Sequence, residues 1–153
     1  MQQRPRTRAS LASLNAPALD RLFAYGTLMT GFSRRPLLGP TALLEGPGRI
    51  QGSLYDFGEY PGVVLDGAGR VSGELYRIPD LDALLPALDR EEWYDPLDAD
   101  RSLYVRRPVP VELDDAAVRE AWVYVYNGPP GRGPRILSGD WRGHRAARGS
   151  AAR

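Results

Sequence analysis

The chain has 153 residues, 42% hydrophobic and 25% charged, which fits one globular domain large enough to bury a core. It contains no cysteine and a single histidine, His144, which excludes disulfides and thiol nucleophiles and disfavours metal sites and a Ser-His-Asp triad. No apolar run is long enough for a membrane span or a secretory signal, so neither is predicted. The expected location is the cytoplasm.

The basic residues are all arginines, and they are concentrated at the two ends of the chain. The body between residues 21 and 132 is acidic, which is unlike a nucleic-acid-binding surface, so no nucleic-acid partner is expected. We interpret 1–19 as a disordered basic arm, 20–141 as the domain and 142–153 as a disordered Arg-rich tail. An interaction protein that binds an acidic partner through these ends is the weaker alternative.

The 17 Gly and 14 Pro favour many short strands over a few long helices. In chain order, apolar and alternating runs predict strands at 22–25, 46–55, 62–65, 71–78, 104–113 and 121–126. The turn 66–69 predicts a β-hairpin between the third and fourth of these strands. Leucines at helical spacing from 81 to 88 predict a helix with Asp80 as its N-cap, which Pro86 either kinks or divides. Two prolines place the strand 104–113 at a sheet edge.

Two carboxylates are placed differently from the others. Glu74 lies in the middle of a predicted strand, whereas Glu92 follows the leucine-rich helix beside Glu91 and just before Trp93 and Tyr94. Aromatic neighbours and a second carboxylate tend to raise the pKa of a carboxyl group, which suits a general base or acid. The alternative is a solvated charge pair at the end of a helix.

Tyr25-Gly26-Thr27-Leu28 stands where the first strand ends. A strand that stops at glycine and continues with a small hydroxyl residue can turn several backbone N–H groups in one direction. Such a cradle binds a carboxylate or the oxyanion of an acyl-transfer intermediate. The alternative is a simple turn after a core strand.

Seven motifs in this order resemble the γ-glutamylcyclotransferase-like family, which includes AIG2-like proteins and γ-glutamylamine cyclotransferases. They are Tyr-Gly-Thr-Leu at 25–28, Gly-Ser-Leu-Tyr-Asp with Tyr-Pro-Gly-Val-Val at 52–64, Val-Ser-Gly-Glu-Leu-Tyr at 71–76, Leu-Asp-Arg-Glu-Glu at 88–92, Tyr-Val-Arg with Val-Pro-Val at 104–111, Ala-Trp-Val-Tyr-Val-Tyr at 121–126 and Ile-Leu-Ser-Gly-Asp-Trp at 136–141. The resemblance spans about residues 22–141.

The resemblance implies an α+β fold, namely a small mixed β-barrel with flanking helices and one cavity at its mouth. It implies an enzyme in which the α-amine of a γ-glutamyl group attacks its own γ-carbonyl. The products are 5-oxoproline and a free amine, and neither a metal nor a cofactor is needed. The family's catalytic glutamate falls on Glu92, because Leu-Asp-x-x-Glu counted from Leu88 ends there and not at Glu91. The backbone N–H groups of Gly26, Thr27 and Leu28 then bind the α-carboxylate or the oxyanion.

Further substrate contacts are expected from Tyr25, Tyr60, Arg106 and Tyr126. Arg106 either meets a substrate carboxylate or pairs with a nearby aspartate. Five aromatic residues either line the pocket or belong to the core, namely Tyr60, Trp93, Tyr104, Tyr126 and Trp141. The acidic segment 93–100 is expected to form a lid that changes the substrate.

The competing hypothesis is a non-catalytic module that keeps the fold and cavity for a small acidic ligand or partner. The sequence indicates neither the oligomeric state nor the leaving amine.

Overall fold

The computed structural model describes residues 19–129 and 131–151. The elements in chain order are β1 (Arg21–Ala24), a 3₁₀ turn (Arg35–Leu38), β2 (Leu43–Gln51), β3 (Ser53–Asp56), β4 (Pro61–Val64), β5 (Arg70–Arg77), α1 (Leu81–Glu91), a second 3₁₀ turn (Ala99–Arg101), β6 (Tyr104–Leu113), β7 (Val118–Tyr126), β8 (Arg135–Ile136) and α2 (Trp141–Ala151). Apart from residue 19, the basic arm expected over 1–19 lies outside the described residues.

Within the described residues, five strands close into a barrel in the order β1, β5, β2, β6, β7. The neighbouring pairs are antiparallel except β1 and β7, which run parallel at the pair Leu22 and Trp122. Buried apolar side chains such as Phe23, Leu75 and Val123 form the core. The predicted α+β fold, a small mixed β-barrel with flanking helices, is therefore confirmed.

A second sheet of three strands, in the order β4, β3, β8, packs beside the barrel, with β4 against β7 and β3 against β5. The predicted hairpin between 62–65 and 71–78 is wrong, because β4 pairs with β3 while β5 pairs with β1 and β2. The chain changes sheets at two glycines, where the Gly52 N–H donates to the Gly69 carbonyl at 2.9 Å. A side chain at Gly52 would meet the Val64 carbonyl oxygen at 2.8 Å, so the predicted strand 46–55 divides here into β2 and β3.

The two prolines of β6 lie where the strand has a neighbour on one side. β6 pairs with β7 along its length, whereas its pairing with β2 is confined to Leu113 and Glu112. Pro108 and Pro110 lie outside that short pairing with β2, so the missing N–H groups interrupt no ladder on that side. The predicted edge position of this strand is wrong, because β6 lies between β2 and β7 in the closed barrel, and its prolines fall where the pairing with β2 is missing.

Helix α1 packs its leucines into the core and continues through Pro86. Leu81, Leu85 and Leu88 are buried, while Pro86 is exposed on the opposite face. Solvent can hydrate the carbonyl that proline leaves without a donor, so the helix is not divided. Asp80 stands at the N-cap position, but its side chain makes no capping hydrogen bond.

The expected disordered tail over 142–153 is wrong, because Trp141–Ala151 forms helix α2. Trp141 is 1% exposed, and His144 and Arg148 contact the carboxylate of Asp56 at 2.7 and 3.0 Å. These three residues fall on one helix face at spacings of three and four. The face is anchored by one tryptophan and by polar contacts, so a search for apolar periodicity does not detect it. Residues 152–153 lie outside the described residues.

No helix in the described part of the chain is long and apolar enough to cross a membrane.

Replacing Trp141 with alanine is expected to lower the free energy of unfolding by about 3–5 kcal/mol, because it empties a fully buried site. The matched control is Trp93→Ala, whose side chain is 74% exposed and whose loss should cost within about 0.5 kcal/mol. Urea unfolding followed by circular dichroism measures both. Equal losses in the two variants would contradict the docking of α2.

Candidate active site

A narrow cleft opens where β1 ends and the second sheet meets the barrel. It brings together the segment after β1, the residue after α1 and aromatic side chains from β6, β7 and the β3–β4 turn. Its lining residues are Phe23, Ala24, Tyr25, Gly26, Thr27, Leu28, Arg34, Tyr60, Pro61, Glu92, Tyr104 and Tyr124. Six of the eight residues expected in the site therefore line one cavity.

Tyr25 forms the floor of the cleft and is almost fully buried. Its hydroxyl donates to the Tyr124 carbonyl at 2.6 Å and accepts from the Val63 N–H at 3.2 Å. Burial, together with the nearby Glu92 carboxyl, raises the pKa of this phenol far above its usual range. Tyr25 is thus neutral, and the two hydrogen bonds of its hydroxyl connect the barrel to the second sheet.

The segment Gly26-Thr27-Leu28 leaves β1 in tight turns. The Gly26 carbonyl accepts from the Met29 N–H at 3.1 Å, and the Thr27 carbonyl accepts from the Arg34 N–H at 3.0 Å. The N–H groups of Gly26, Thr27 and Leu28 donate to no acceptor among the described residues. Unpaired donors of this kind are what an anion cradle requires, and the cradle stays a prediction.

Glycine at position 26 is required by a close approach. A Cβ atom there would lie 2.7 Å from Cγ and 2.8 Å from Cδ of Pro61. The proline ring is rigid and its carbonyl accepts from the Tyr104 hydroxyl at 2.6 Å, so it cannot move aside. The cradle therefore packs directly against the start of β4.

Glu92 is the first residue after α1, and its N–H still donates to the Leu88 carbonyl at 3.0 Å. Its side chain is 13% exposed and accepts no hydrogen bond from a described residue. The nearest cation is Arg34, whose Nη1 lies 3.8 Å from Oε2. Burial raises the pKa of Glu92 to about 7, the Arg34 charge opposes this rise and the Glu91 charge adds to it.

Three other carboxylates in the fold have a different environment, because each accepts two or more hydrogen bonds. Asp89 binds Arg106 and the Tyr124 hydroxyl, and Asp56 binds His144 and Arg148. Glu74, the other carboxylate that the sequence set apart, accepts from the Thr30 N–H, the Tyr76 hydroxyl and Arg142 outside the cleft. Glu92 differs from them because its carboxyl, 13% exposed, lacks a donor and faces the cavity, which makes it a candidate for a functional group.

Aromatic rings form the wall opposite the cradle. Tyr60 and Tyr104 meet edge to face with ring centroids 6.2 Å apart, and both line the cleft. Tyr126 lies one layer behind, packed on Phe57 at 4.4 Å, and its hydroxyl donates to the Pro129 carbonyl at 3.1 Å. Tyr126 therefore supports the wall and does not line the cavity.

Arg106 does not reach the cleft. Its guanidinium donates to both carboxylate oxygens of Asp89, at 2.9 and 3.2 Å, and stacks on the Trp122 ring at 4.3 Å. Of the two alternatives that the sequence left open, the structure shows the pair with aspartate. The guanidinium is therefore engaged by Asp89 outside the cleft.

The acidic segment after Glu92 does not cover the cleft, since none of residues 93–103 lines it. The segment folds on itself: the Ser102 hydroxyl accepts from the Asp95 N–H at 2.8 Å, and the Leu103 N–H donates to the Trp93 carbonyl at 3.0 Å. Asn127 fixes it to the end of β7 by donating to the Ala99 and Ser102 carbonyls. The expected lid is thus a closed loop beside the site.

Sequence reasoning missed five lining residues, namely Phe23, Ala24, Arg34, Pro61 and Tyr124. Arg34 and Tyr124 are the two of these that bring polar side chains. Arg34 reaches the cleft because its N–H binds the Thr27 carbonyl and its Nη1 donates to the Glu91 carbonyl at 3.1 Å. No motif marks this fold-back of the loop. Tyr124 and Tyr126 are equivalent in an alternating strand, and the chain alone does not show which of them faces the cleft.

Among the described residues, no group of three or more His, Asp or Glu side chains could bind a metal ion.

Comparison with known proteins gives one family and one fold. The sequence model of the family described as gamma-glutamyl cyclotransferase, AIG2-like, matches residues 22–143. Protein ytfP from Escherichia coli has 34% identity over 82% of this chain and 98% of its own, with a TM-score of 0.56. YkqA from Bacillus subtilis has 28% identity over 87% of this chain, which spans 43% of YkqA, with a TM-score of 0.68.

An AIG2-like protein from Mus musculus has 20% identity over 79% of this chain and 88% of its own, with a TM-score of 0.62. At this identity the likeness is one of fold. No curated protein matches the sequence.

The buried carboxyl of Glu92 should make stability depend on pH. Its folded pKa of about 7 exceeds the ordinary value of 4.5, so the folded state retains a proton that the unfolded state releases between these pH values. The free energy of unfolding should therefore fall as pH rises from 4.5 to 7, by up to about 3 kcal/mol, and then level off. Urea unfolding at pH 5 and pH 8 measures this loss.

In Glu92→Gln this part of the loss should disappear, whereas Glu91→Gln, changed at the exposed neighbour, should retain it. An identical pH dependence in wild type and Glu92→Gln would show that Glu92 is not buried as described.

The contact between Gly26 and Pro61 should appear as an energetic coupling. Gly26→Ala is expected to cost about 1–3 kcal/mol of stability, because the added methyl group overpacks the proline ring. In Gly26→Ala/Pro61→Ala the proline ring is absent, so most of the stability lost in Gly26→Ala should be recovered. The double-mutant cycle measured by urea unfolding should therefore be non-additive. If the changes in the free energy of unfolding are simply additive, the two residues are not in contact.

Proposed function

We propose that this chain, which belongs to the gamma-glutamyl cyclotransferase, AIG2-like family, releases 5-oxoproline and a free amine from a γ-glutamyl amine. The observation that carries the proposal is the Glu92 carboxyl. It is largely shielded from solvent, accepts no hydrogen bond from a described residue, has a pKa near 7 and lines the same cleft as Gly26, Thr27 and Leu28, whose N–H groups have no acceptor among the described residues. This is a proton carrier facing an anion cradle.

The reaction needs a base because the substrate's α-amine is an ammonium group at neutral pH. Ionised Glu92 takes one proton from it, and the freed nitrogen lone pair attacks the γ-carbonyl carbon. A new C–N bond closes the five-membered ring while the carbonyl oxygen gains negative charge. The proton held by Glu92 passes to the leaving nitrogen, and the regenerated carboxylate takes the second proton from the positively charged ring nitrogen. The carbonyl re-forms as the amine is expelled, and Glu92 returns that second proton to the released amine, which leaves as an ammonium ion. Atoms and charge balance without a metal or cofactor.

A pKa near 7 suits both halves of this cycle. A carboxyl of ordinary pKa is a weak acceptor for an ammonium proton and retains that proton poorly for the leaving amine. Catalysis by one group in both directions is most efficient when its pKa is near the working pH. Arg34 contributes by keeping a useful fraction of Glu92 ionised.

The cradle binds one of two negative groups. The N–H groups of Gly26, Thr27 and Leu28 donate either to the α-carboxylate of the γ-glutamyl unit or to the oxygen that becomes charged during attack. The neighbouring Tyr25 is neutral and bonded at both ends of its hydroxyl, so it shapes the cleft and does not exchange protons. Because the nucleophile is tethered to the reacting carbonyl, correct orientation supplies much of the rate.

Glu92→Gln should lower the release of 5-oxoproline by about 10²–10⁴-fold, because it removes the proton acceptor and keeps the shape. Glu91→Gln should remain within a few-fold of wild type and serves as the matched control. The assay is chromatographic detection of 5-oxoproline from three substrate classes: γ-glutamyl amino acids, γ-glutamyl-ε-lysine and γ-glutamyl derivatives of simple amines.

Two results would contradict parts of the proposal. Full activity in Glu92→Gln would reject Glu92 as the base, and loss of activity in Glu91→Gln would transfer the role to that residue. Binding of these compounds by calorimetry with no 5-oxoproline from any class would identify a non-catalytic module that retains the cavity.

A further inference from the structure

Asp89 is a buried carboxylate that the proposed chemistry does not use. It is the aspartate of the Leu-Asp-x-x-Glu motif, lies in the last turn of α1 and is 5% exposed. Its Oδ1 accepts from Arg106 at 2.9 Å and from the Tyr124 hydroxyl at 2.7 Å, and its Oδ2 accepts from Arg106 at 3.2 Å. Three charge-assisted hydrogen bonds converge on one side chain.

Its position is unfavourable for the helix itself. A negative charge in the last turn adds to the negative end of the helix dipole, so Asp89 is not there to stabilise α1 alone. The residue also acts through its main chain, because its carbonyl accepts from the Glu92 N–H at 3.2 Å and the Tyr94 N–H at 2.9 Å. Side chain and backbone of Asp89 together fix the turn from which Glu92 enters the cleft.

The same carboxylate connects this turn to the opposite side of the cleft. Tyr124 donates its hydroxyl to Asp89, and its carbonyl accepts from Tyr25, the residue that precedes the cradle. Arg106 is itself immobilised between the rings of Trp122, at 4.3 Å, and Tyr94, at 5.7 Å. A continuous set of hydrogen bonds therefore runs from the helix end to the cradle.

We propose that Asp89 is a positioning residue, which, through Arg106 and Tyr124, sets the distance of the Glu92 carboxyl from the cradle. The inference rests on the proposed function, since it assigns how that function's base is placed. Helix ends fray because their last carbonyl groups lack intrahelical donors. A base on a fraying turn would be displaced and hydrated, and a displacement of about 1 Å is enough to cost roughly 10²-fold in rate.

The test compares Asp89→Asn with Asp56→Asn. Both aspartates are buried, at 5% and 9% exposure, and both accept from an arginine, but Asp56 anchors α2 and does not line the cleft. Asp89→Asn should lower kcat by about 10–100-fold while KM stays within about threefold, because the base is misplaced and the cradle is intact. Asp56→Asn should lose stability and keep kcat. Circular dichroism confirms the folded fraction of each variant.

A second readout does not depend on turnover. The pKa of the Glu92 carboxyl is measured by ¹³C NMR, and its signal is assigned by its loss in Glu92→Gln. The charged and titratable groups that face Glu92 are Arg34, Glu91, Tyr25, Tyr104 and Tyr124. Asp89→Asn also removes a charge that neutralises Arg106, so it is compared with Arg106→Lys, which keeps every charge. A fall of the Glu92 pKa from about 7 towards 4.5 in both variants reports hydration of a loosened turn. In Asp56→Asn the pKa should not change.

The inference is overturned if folded Asp89→Asn keeps kcat within twofold of wild type and leaves the Glu92 pKa in place. If Asp89→Asn does not fold, Arg106→Lys tests the inference in its place. Lysine retains the positive charge but cannot form the two parallel hydrogen bonds to Asp89. Arg106→Lys should lower kcat by roughly 5–10-fold and shift the Glu92 pKa in the same direction. An unchanged kcat and pKa in that variant would equally reject the inference.

Failure of the proposed function is separable from failure of this inference. If wild type releases no 5-oxoproline from any class, the function is rejected, and the NMR titration alone decides whether Asp89 positions Glu92.

Discussion

The rest of the site depends on two hydrogen bonds made by one buried phenol. The Tyr25 hydroxyl donates to a carbonyl of β7 and accepts from an N–H of β4, so it joins the barrel to the second sheet. Both partners are buried main-chain groups, and leaving either of them unpaired would cost about 1–3 kcal/mol. The phenol keeps the sheets close enough for Pro61 to pack against Gly26, and the space left beside that contact is the cleft.

The carboxylates with little solvent exposure have two kinds of environment in this fold. Asp56 and Asp89 are each saturated by cationic and polar donors, which makes them structural ties for α2 and α1. Glu92 has a distant arginine and no donor, so its charge is costly and its proton is held near neutral pH. The destabilising carboxyl is tolerated because the hydrogen bonds of Asp89 hold the end of its helix in place.

Much of this arrangement was predictable from the sequence, and the failures have local physical causes. Tyr25 to Leu28 and Glu92 were singled out by local patterns, a strand that ends at glycine and a carboxylate that follows a helix. Each pattern alone also fitted a structural role, and the resemblance of the ordered motifs to a family is what paired them. Arg34 was not singled out, because it depends on a loop that folds back onto Thr27. Arg106 was ambiguous in sequence, because its partner Asp89 is distant along the chain. Helix α2 was missed because one tryptophan and polar contacts anchor it, without apolar periodicity.

The parallel contact between β1 and β7 has a consequence for how the chain acquires its structure. β1 is the first strand of the barrel, and Leu22 finds its partner, Trp122, only near the end of the matched region. Closure of the barrel thus depends on a contact between residues far apart in the sequence. Because bringing such residues together costs much chain entropy, this contact forms slowly and late in folding. During synthesis, β1 can pair with β5 on one side, but its other edge stays without a partner strand until β7 has left the ribosome. The open side of β1 is where a nascent chain of this protein is most exposed to mispairing.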